Sequence, residues 1–211
     1  MNHRRSILTV VAILTLAQSV HPQNNFRVQL TGGASFNTPP SGVFSNWGNG
    51  WTLSGGLAYP ITSSLELGLN MAYSRYPYQG DNLQLVFPAI AGLRWSVLGE
   101  PSNVIEGSIA ARVSTNASFI CPYLSLAAGL HRLNVGEIII SEWFSSNPQN
   151  VSQSTYNGSG TSTTKSFAAL GVGFFVPLDS NIRIGLEGRV AQSFDSKERF
   201  VPLLATVQVD L

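Results

Sequence analysis

Hydrophobic and polar residues alternate over the last twelve positions of the chain, Phe200 to Leu211. Val201, Leu203, Ala205, Val207, Val209 and Leu211 share one face, while Leu204, Thr206, Gln208 and Asp210 share the other. A period of two puts successive side chains on opposite faces of an extended strand, so those faces meet different surroundings. The pattern recurs upstream. Phe26–Phe36 sets Phe26, Val28, Leu30, Gly32, Ala34 and Phe36 against Arg27, Gln29, Thr31 and Ser35. Trp51–Tyr59 groups Trp51, Leu53, Leu57 and Tyr59, and Ser64–Arg75 sets its leucines, Met71 and Tyr73 against Glu66, Asn70 and Ser74. Leu83–Trp95 sets Leu85, Phe87, Leu93 and Trp95 against Gln84 and Arg94. Pro122–Leu133, Ser166–Val176 and Ile182–Gln192 follow, the last with Arg183, Glu187 and Arg189 on its polar face.

Turn chemistry separates these strands. Tyr59-Pro-Ile-Thr-Ser-Ser-Leu-Glu-Leu-Gly-Leu-Asn70 parallels Val176-Pro-Leu-Asp-Ser-Asn-Ile-Arg-Ile-Gly-Leu-Glu187, which predicts two equivalent tight hairpins. Asn37–Trp47, Tyr76–Asn82 and Asp195–Arg199 read as loops. Ser145–Thr164 carries no charge, and fifteen of its twenty residues are Ser, Thr, Asn or Gly, too little apolar surface to order itself well.

One apolar and one polar face per strand, repeated to the chain end, predicts an all-β fold. The expected form is an eight-stranded antiparallel up-and-down transmembrane β-barrel, apolar toward lipid and polar inside. The segment Val97–Val135 strains the count. Val104–Val113 also alternates, and nine spans would break the even number that such barrels favour. We therefore assign Val104–Val113 to a hairpin arm beyond the membrane. Ten strands, with Glu137–Phe144 as the extra span, is the alternative.

The first residues fit export. Arg4 and Arg5 precede an apolar run from Ser6 to Ala17, too short to span a bilayer as a helix, and small residues at 17 and 19 suit cleavage after Ser19. The expected organisation is a signal peptide over 1–19 and an outer-membrane barrel domain over 20–211. Past residue 19 the chain holds ten Lys and Arg against eleven Asp and Glu, which leaves no basic excess for nucleic acid. Only 11% of residues are charged, well below the roughly 25% of soluble domains, as expected if half of each strand faces lipid. Cys121 is the single cysteine, which excludes an intramolecular disulfide.

Three segments, Pro122-Tyr-Leu-Ser-Leu-Ala-Ala-Gly-Leu130, Val176–Arg189 and Phe200–Val209, resemble the small outer-membrane β-barrel family, the OmpA/OmpX-like class. The resemblance implies localisation in the outer membrane of a Gram-negative-type bacterium and insertion by barrel-assembly machinery. That family usually ends on an aromatic residue, whereas this chain ends on Leu211.

Two sets of candidate residues follow. Trp51, Tyr59, Tyr73, Phe87, Trp95 and Phe174 lie near predicted strand ends, where amphipathic rings favour the headgroup level, and are the candidate aromatic girdle. Glu66, Arg94, Glu187, Arg189 and Asp210 point inward by parity and are the candidate lumen ion pairs. Eight strands leave an interior just wide enough for side chains to fill, and buried charges must pair.

No P-loop, HExxH or dinucleotide fingerprint is present. His131 points inward with no carboxylate in evident reach, so neither an enzyme nor a cofactor or metal site is expected. The reading is a non-enzymatic, porin-like, monomeric envelope barrel with a structural role or with loops for adhesion or binding. Its partners would be outer-membrane lipid and an extracellular ligand held by Asn37–Trp47, Tyr76–Asn82 and Asn134–Thr164. A small pore and a secreted ligand-binding barrel are the alternatives. An epitope inserted at Gly158 should be labelled from outside in intact cells, with the protein recovered in the outer-membrane fraction. Recovery in the soluble fraction without labelling would favour the secreted barrel.

Overall fold

A computed structural model describes residues 26–38, 46–79, 93–115, 119–144, 147–156, 161–194 and 198–211. The leader and the chain before residue 26 lie outside them. Alternating sequence becomes strand wherever it is described: β1 (Arg27–Thr38), β2 (Gly50–Pro60), β3 (Leu65–Tyr76), β4 (Leu93–Gly99), β5 (Ser102–Ser114), β6 (Cys121–Asn134), β7 (Ile138–Phe144), β8 (Asn147–Tyr156), β9 (Ser162–Pro177), β10 (Ile182–Ser193) and β11 (Arg199–Asp210). Eight of them close an antiparallel barrel in the ring β1-β2-β3-β5-β6-β9-β10-β11. Each barrel strand pairs with the barrel strands before and after it in the chain, and β1 pairs with β11 from Arg27↔Asp210 to Thr38↔Arg199 to close the ring. The remaining strands form a separate sheet of order β4-β7-β8.

The eight-stranded fold expected from the sequence is the one observed, but its fourth strand is different. Val104–Val113 is not an arm outside the barrel; it is the body of β5, paired with β3 from Leu65↔Val113 to Tyr76↔Ser102 and with β6 from Asn103↔Asn134 to Ser114↔Tyr123. Leu83–Trp95 is not the barrel strand assigned there. Residues 83–92 lie outside the described residues, and residues 93–95 open β4 in the separate sheet. Alternation is equal in the two segments, so pairing separates them. The 13-residue β5 pairs along its length with both β3 and β6, whereas the described residues of the other segment pair with β7. The ten-strand alternative fails likewise, because Glu137–Phe144 supplies the 7-residue β7, in the separate sheet. Part of the uncharged Ser145–Thr164 run is ordered after all. β8 pairs with β7 through its backbone, from Ile138↔Tyr156 to Phe144↔Asn147, and that pairing needs no apolar side chains.

The two ends of the barrel differ. One end carries residue 26, Leu211 and three short turns. In the β2–β3 turn Thr62 Oγ1 accepts from the amides of Ser64 and Leu65, and in the β9–β10 turn Asp179 Oδ1 accepts from those of Asn181 and Ile182. The two echoed sequences are thus hairpins at one end. The other end carries the long connections and the β4-β7-β8 sheet. There Trp47, Tyr76, Val104, Leu133, Ile138, Ile140 and Phe200 form a buried apolar cluster that ties the barrel mouth to β7.

Parity holds around the wall. Leu30, Leu53, Leu69, Met71, Ile109, Leu126, Leu170, Val172, Leu186 and Leu203 are exposed on the outside, while Gln29, Thr31, Glu66, Ser125, Glu187, Thr206 and Gln208 are buried inside. Phe200 packs in the mouth cluster, 2% exposed, whereas Leu69 stands 62% exposed on the wall. Phe200→Ala should therefore lower the unfolding free energy in detergent by about 3–5 kcal/mol, and Leu69→Ala by much less. Urea titration checks this, and equal losses would mean that the mouth cluster does not hold the barrel together.

Candidate functional site: a filled lumen and a sealed mouth

Inward positions near the short-turn end come from Arg27 on β1, Glu66 on β3, Arg112 on β5, Arg183 on β10, and Gln208 and Asp210 on β11. Arg27 and Arg112 each donate a terminal nitrogen to one oxygen of Glu66, at 2.7 and 2.6 Å. Gln208 Nε2 donates to the same carboxylate at 3.3 Å. Asp210 accepts from Arg27 Nε at 2.9 Å and from Arg183 at 3.3 Å. The Arg112 guanidinium lies over the rings of Tyr123 and Phe175, which stack with centroids 4.9 Å apart. Charge-assisted bonds and ring contacts together offset the penalty of burying this cation, although its Nε has no hydrogen-bond partner among the described residues.

Halfway along the barrel Glu187 accepts from Tyr123 Oη at 2.9 Å and Ser125 Oγ at 3.1 Å. Gly171, opposite Ser125 on β9, makes room for this group, since a β-carbon there would overlap Ser125 Oγ and Glu187 Oε1. Arg189 faces Glu106 at 4.0 Å. These charges line a small polar cavity with Thr31, Asn70 and Thr206.

Toward the mouth Lys165 Nζ contacts both oxygens of Glu198 at 3.2 Å. His131 Nε2 shares a 2.9 Å hydrogen bond with Ser193 Oγ, and its ring stacks on Phe167 with centroids 5.1 Å apart. Both residues are buried, and His131 Nδ1 has no hydrogen-bond partner among the described residues. The nucleophile–base spacing is therefore present, but among the described residues no carboxylate bonds the imidazole, and both groups are buried. Above them Trp47 donates Nε1–H to the Glu100 carbonyl at 3.0 Å and meets Tyr78 edge-on at 6.0 Å. Burial raises the Tyr78 phenol above its ordinary value.

Among the described residues, five acidic side chains in or over the lumen (Glu66, Glu106, Glu187, Glu198, Asp210) thus face five basic ones (Arg27, Arg112, Lys165, Arg183, Arg189). Of the lumen candidates taken from the sequence, the structure places Glu66, Glu187, Arg189 and Asp210 inside. Glu66 and Asp210 share Arg27, while Glu187 and Arg189 stand in the middle layer. Arg94 is not in the lumen; it is exposed on β4, because the segment that carries it leaves the wall. Parity turns Arg27 and Arg183 inward without marking them as pair members, and Glu106 and Arg112 enter the lumen because Val104–Val113 is a wall strand rather than an arm beyond the membrane. Partners meet across the ring at sequence separations of 39 and 46 residues, which no local pattern reveals.

Of the girdle candidates, Trp51 and Tyr73 stand on the outer wall near the long-loop end, with ring centroids 5.6 Å apart. Tyr59 and Phe174 stand on it near the short-turn end, Tyr59 packing on Phe26 at 5.3 Å. Phe87 lies outside the described residues. Trp95 is not on the barrel wall, since its backbone belongs to β4, and its side chain lies outside the described residues.

No family model and no curated protein matches this chain. Solved structures do match in fold. Neisserial surface protein A is 16% identical, with a TM-score of 0.54 over 88% of this chain and 97% of that one. The attachment invasion locus protein Ail of Yersinia pestis is 12% identical over 88% and 98%, at 0.48. The N-terminal barrel domain of Pseudomonas aeruginosa OprF is 14% identical over 88% and 99%, at 0.45. The first likeness defines the class by fold: an eight-stranded barrel of the kind that a small outer-membrane protein adopts.

Removing the Glu66 carboxylate would strip Arg112 of its carboxylate partner and leave Arg27 with Asp210 alone. Glu66→Ala should cost about 3–5 kcal/mol, whereas Arg94→Ala should stay within about 0.5 kcal/mol. Chemical unfolding of the two variants in the same detergent compares them, and equal effects would remove Glu66 from the centre of the network.

Proposed function

We propose that this protein is a non-enzymatic outer-membrane barrel that does not conduct and that presents the β4-β7-β8 sheet at the cell surface for binding or adhesion. The observation that carries this reading is the inversion of the barrel: leucine, isoleucine and valine cover its outside, and ion pairs fill its inside. A water-soluble barrel that binds an apolar ligand needs the reverse. In lipid every strand N–H and C=O must bond within the protein, and a closed ring meets that requirement.

The filled lumen speaks against a pore. Glu66 with its two arginines spans the interior at the short-turn end, and the Trp47–Tyr76–Phe200 cluster covers the mouth. The burial of the Ser193–His131 pair supports a non-enzymatic role. The ordered sheet outside the barrel supports a surface task, because the barrel itself does not require it. Export through a cleaved leader and insertion with both termini on the periplasmic side complete the reading.

Purified protein reconstituted in planar bilayers should give no steady current at neutral pH. A reproducible single-channel step would replace this reading with that of a small pore.

A further inference from the structure

The outer wall carries its charge at one end only. In the eight barrel strands every acidic side chain, Glu66, Glu106, Glu187 and Asp210, points inward. The outward cations are Arg75, Arg132 and Arg199, and each lies within three residues of a strand's long-loop end. Arg199 is engaged by Gln192, to which its Nε donates at 3.0 Å. Arg75 and Arg132 have no acidic partner among the described residues, and Arg132 spends only Nε, on Ser162 Oγ.

Strand pairing places these two arginines over one feature. Arg75 pairs with Asn103, and Arg132 pairs with Ile105, so both flank β5, about 12 Å apart across two strand spacings and a two-residue offset along the strand. One outward position below Ile105 is Gly107, between Met71 and Leu130. A β-carbon at Gly107 would meet nothing within 4 Å. On the other side of Met71 the outward position is Gly55. The two glycines leave an apolar depression of about 900 Å³ around Met71, walled by Leu30, Leu57, Leu69, Ile109 and Leu130, within the roughly 300–1,000 Å³ span of small-molecule sites.

We infer that this is a site for one phosphorylated membrane lipid of the leaflet at the long-loop end, its acyl chain in the Gly107 depression and its phosphate between Arg75 and Arg132. Arginine forks bind phosphate in bidentate fashion, and Tyr73 and Trp51 mark the headgroup level on the same stretch of wall. The site rests on the membrane reading above.

The test is native mass spectrometry of the purified full-length protein. It is released from micelles holding equal amounts of phosphatidylglycerol and phosphatidylcholine with the same acyl chains. Wild type should retain one phosphatidylglycerol in preference to phosphatidylcholine, by about tenfold, because the choline cation offsets the charge of the phosphate that both lipids carry and is repelled by the two arginines. Arg75→Gln/Arg132→Gln should erase the preference. Gly107→Leu, which points into open space, should lower retention of both lipids. Ala205→Leu, on β11 across the barrel, should change neither, and heat-dependent gel mobility should report a folded barrel in each case. Equal retention of the two lipids by wild type would overturn the site. So would a preference that survives loss of both arginines, or a Gly107→Leu variant that behaves like Ala205→Leu. A protein that stays soluble without detergent and retains neither lipid would overturn the membrane reading itself.

Discussion

Backbone hydrogen bonding around a closed ring is the constraint on which the rest of this molecule depends. The β1–β11 ladder leaves no free edge in the barrel, so the wall can face a medium that offers no hydrogen bonds. Closure turns alternation into two surfaces. Every odd or even row must take one side of the wall, and a slip of one residue would send Glu66, Glu187 and Arg189 into the apolar exterior. Register and side-chain chemistry therefore enforce each other.

The interior inherits a problem from that closure. Eight strands leave an interior just wide enough for side chains to fill, so the inward charges must be satisfied by one another. Glu66 answers with two arginines and Gln208, and Glu187 with Tyr123 and Ser125. Small residues such as Gly171 create the space, and Tyr123, Phe175 and Phe167 occupy what is left. A filled interior also stiffens the base on which the outer sheet stands.

That sheet owes its order to two different causes. Ile138 and Ile140 of β7 are buried in the mouth cluster with Trp47, Tyr76 and Phe200, which anchors β7 by apolar burial. β4 and β8 then attach to the two edges of β7 through backbone bonds. A run of Ser, Thr, Asn and Gln can thus be ordered by a neighbour although it could not order itself. The anchor residues come from four connections and strand ends far apart in the chain, and only closure of the barrel brings them together.

Strand existence, the side of the wall that each residue takes and the two equivalent hairpins were legible in the sequence, because a period of two and a Pro-containing turn are local signals. Leu69 outward and Gln208 inward could be read from their immediate neighbours. The strand content of Val104–Val113 was legible as well, but not that it joins the wall. Alternation is a property of one segment, and the choice belongs to its pairing with β3 and β6. The same limit separates Arg94, exposed on the outer sheet, from Arg112, bonded to Glu66 inside. Parity is a property of one strand and is written along it. Partnership is a property of the closed ring, set where residues distant in the chain meet across the barrel, and only the tertiary structure decides it.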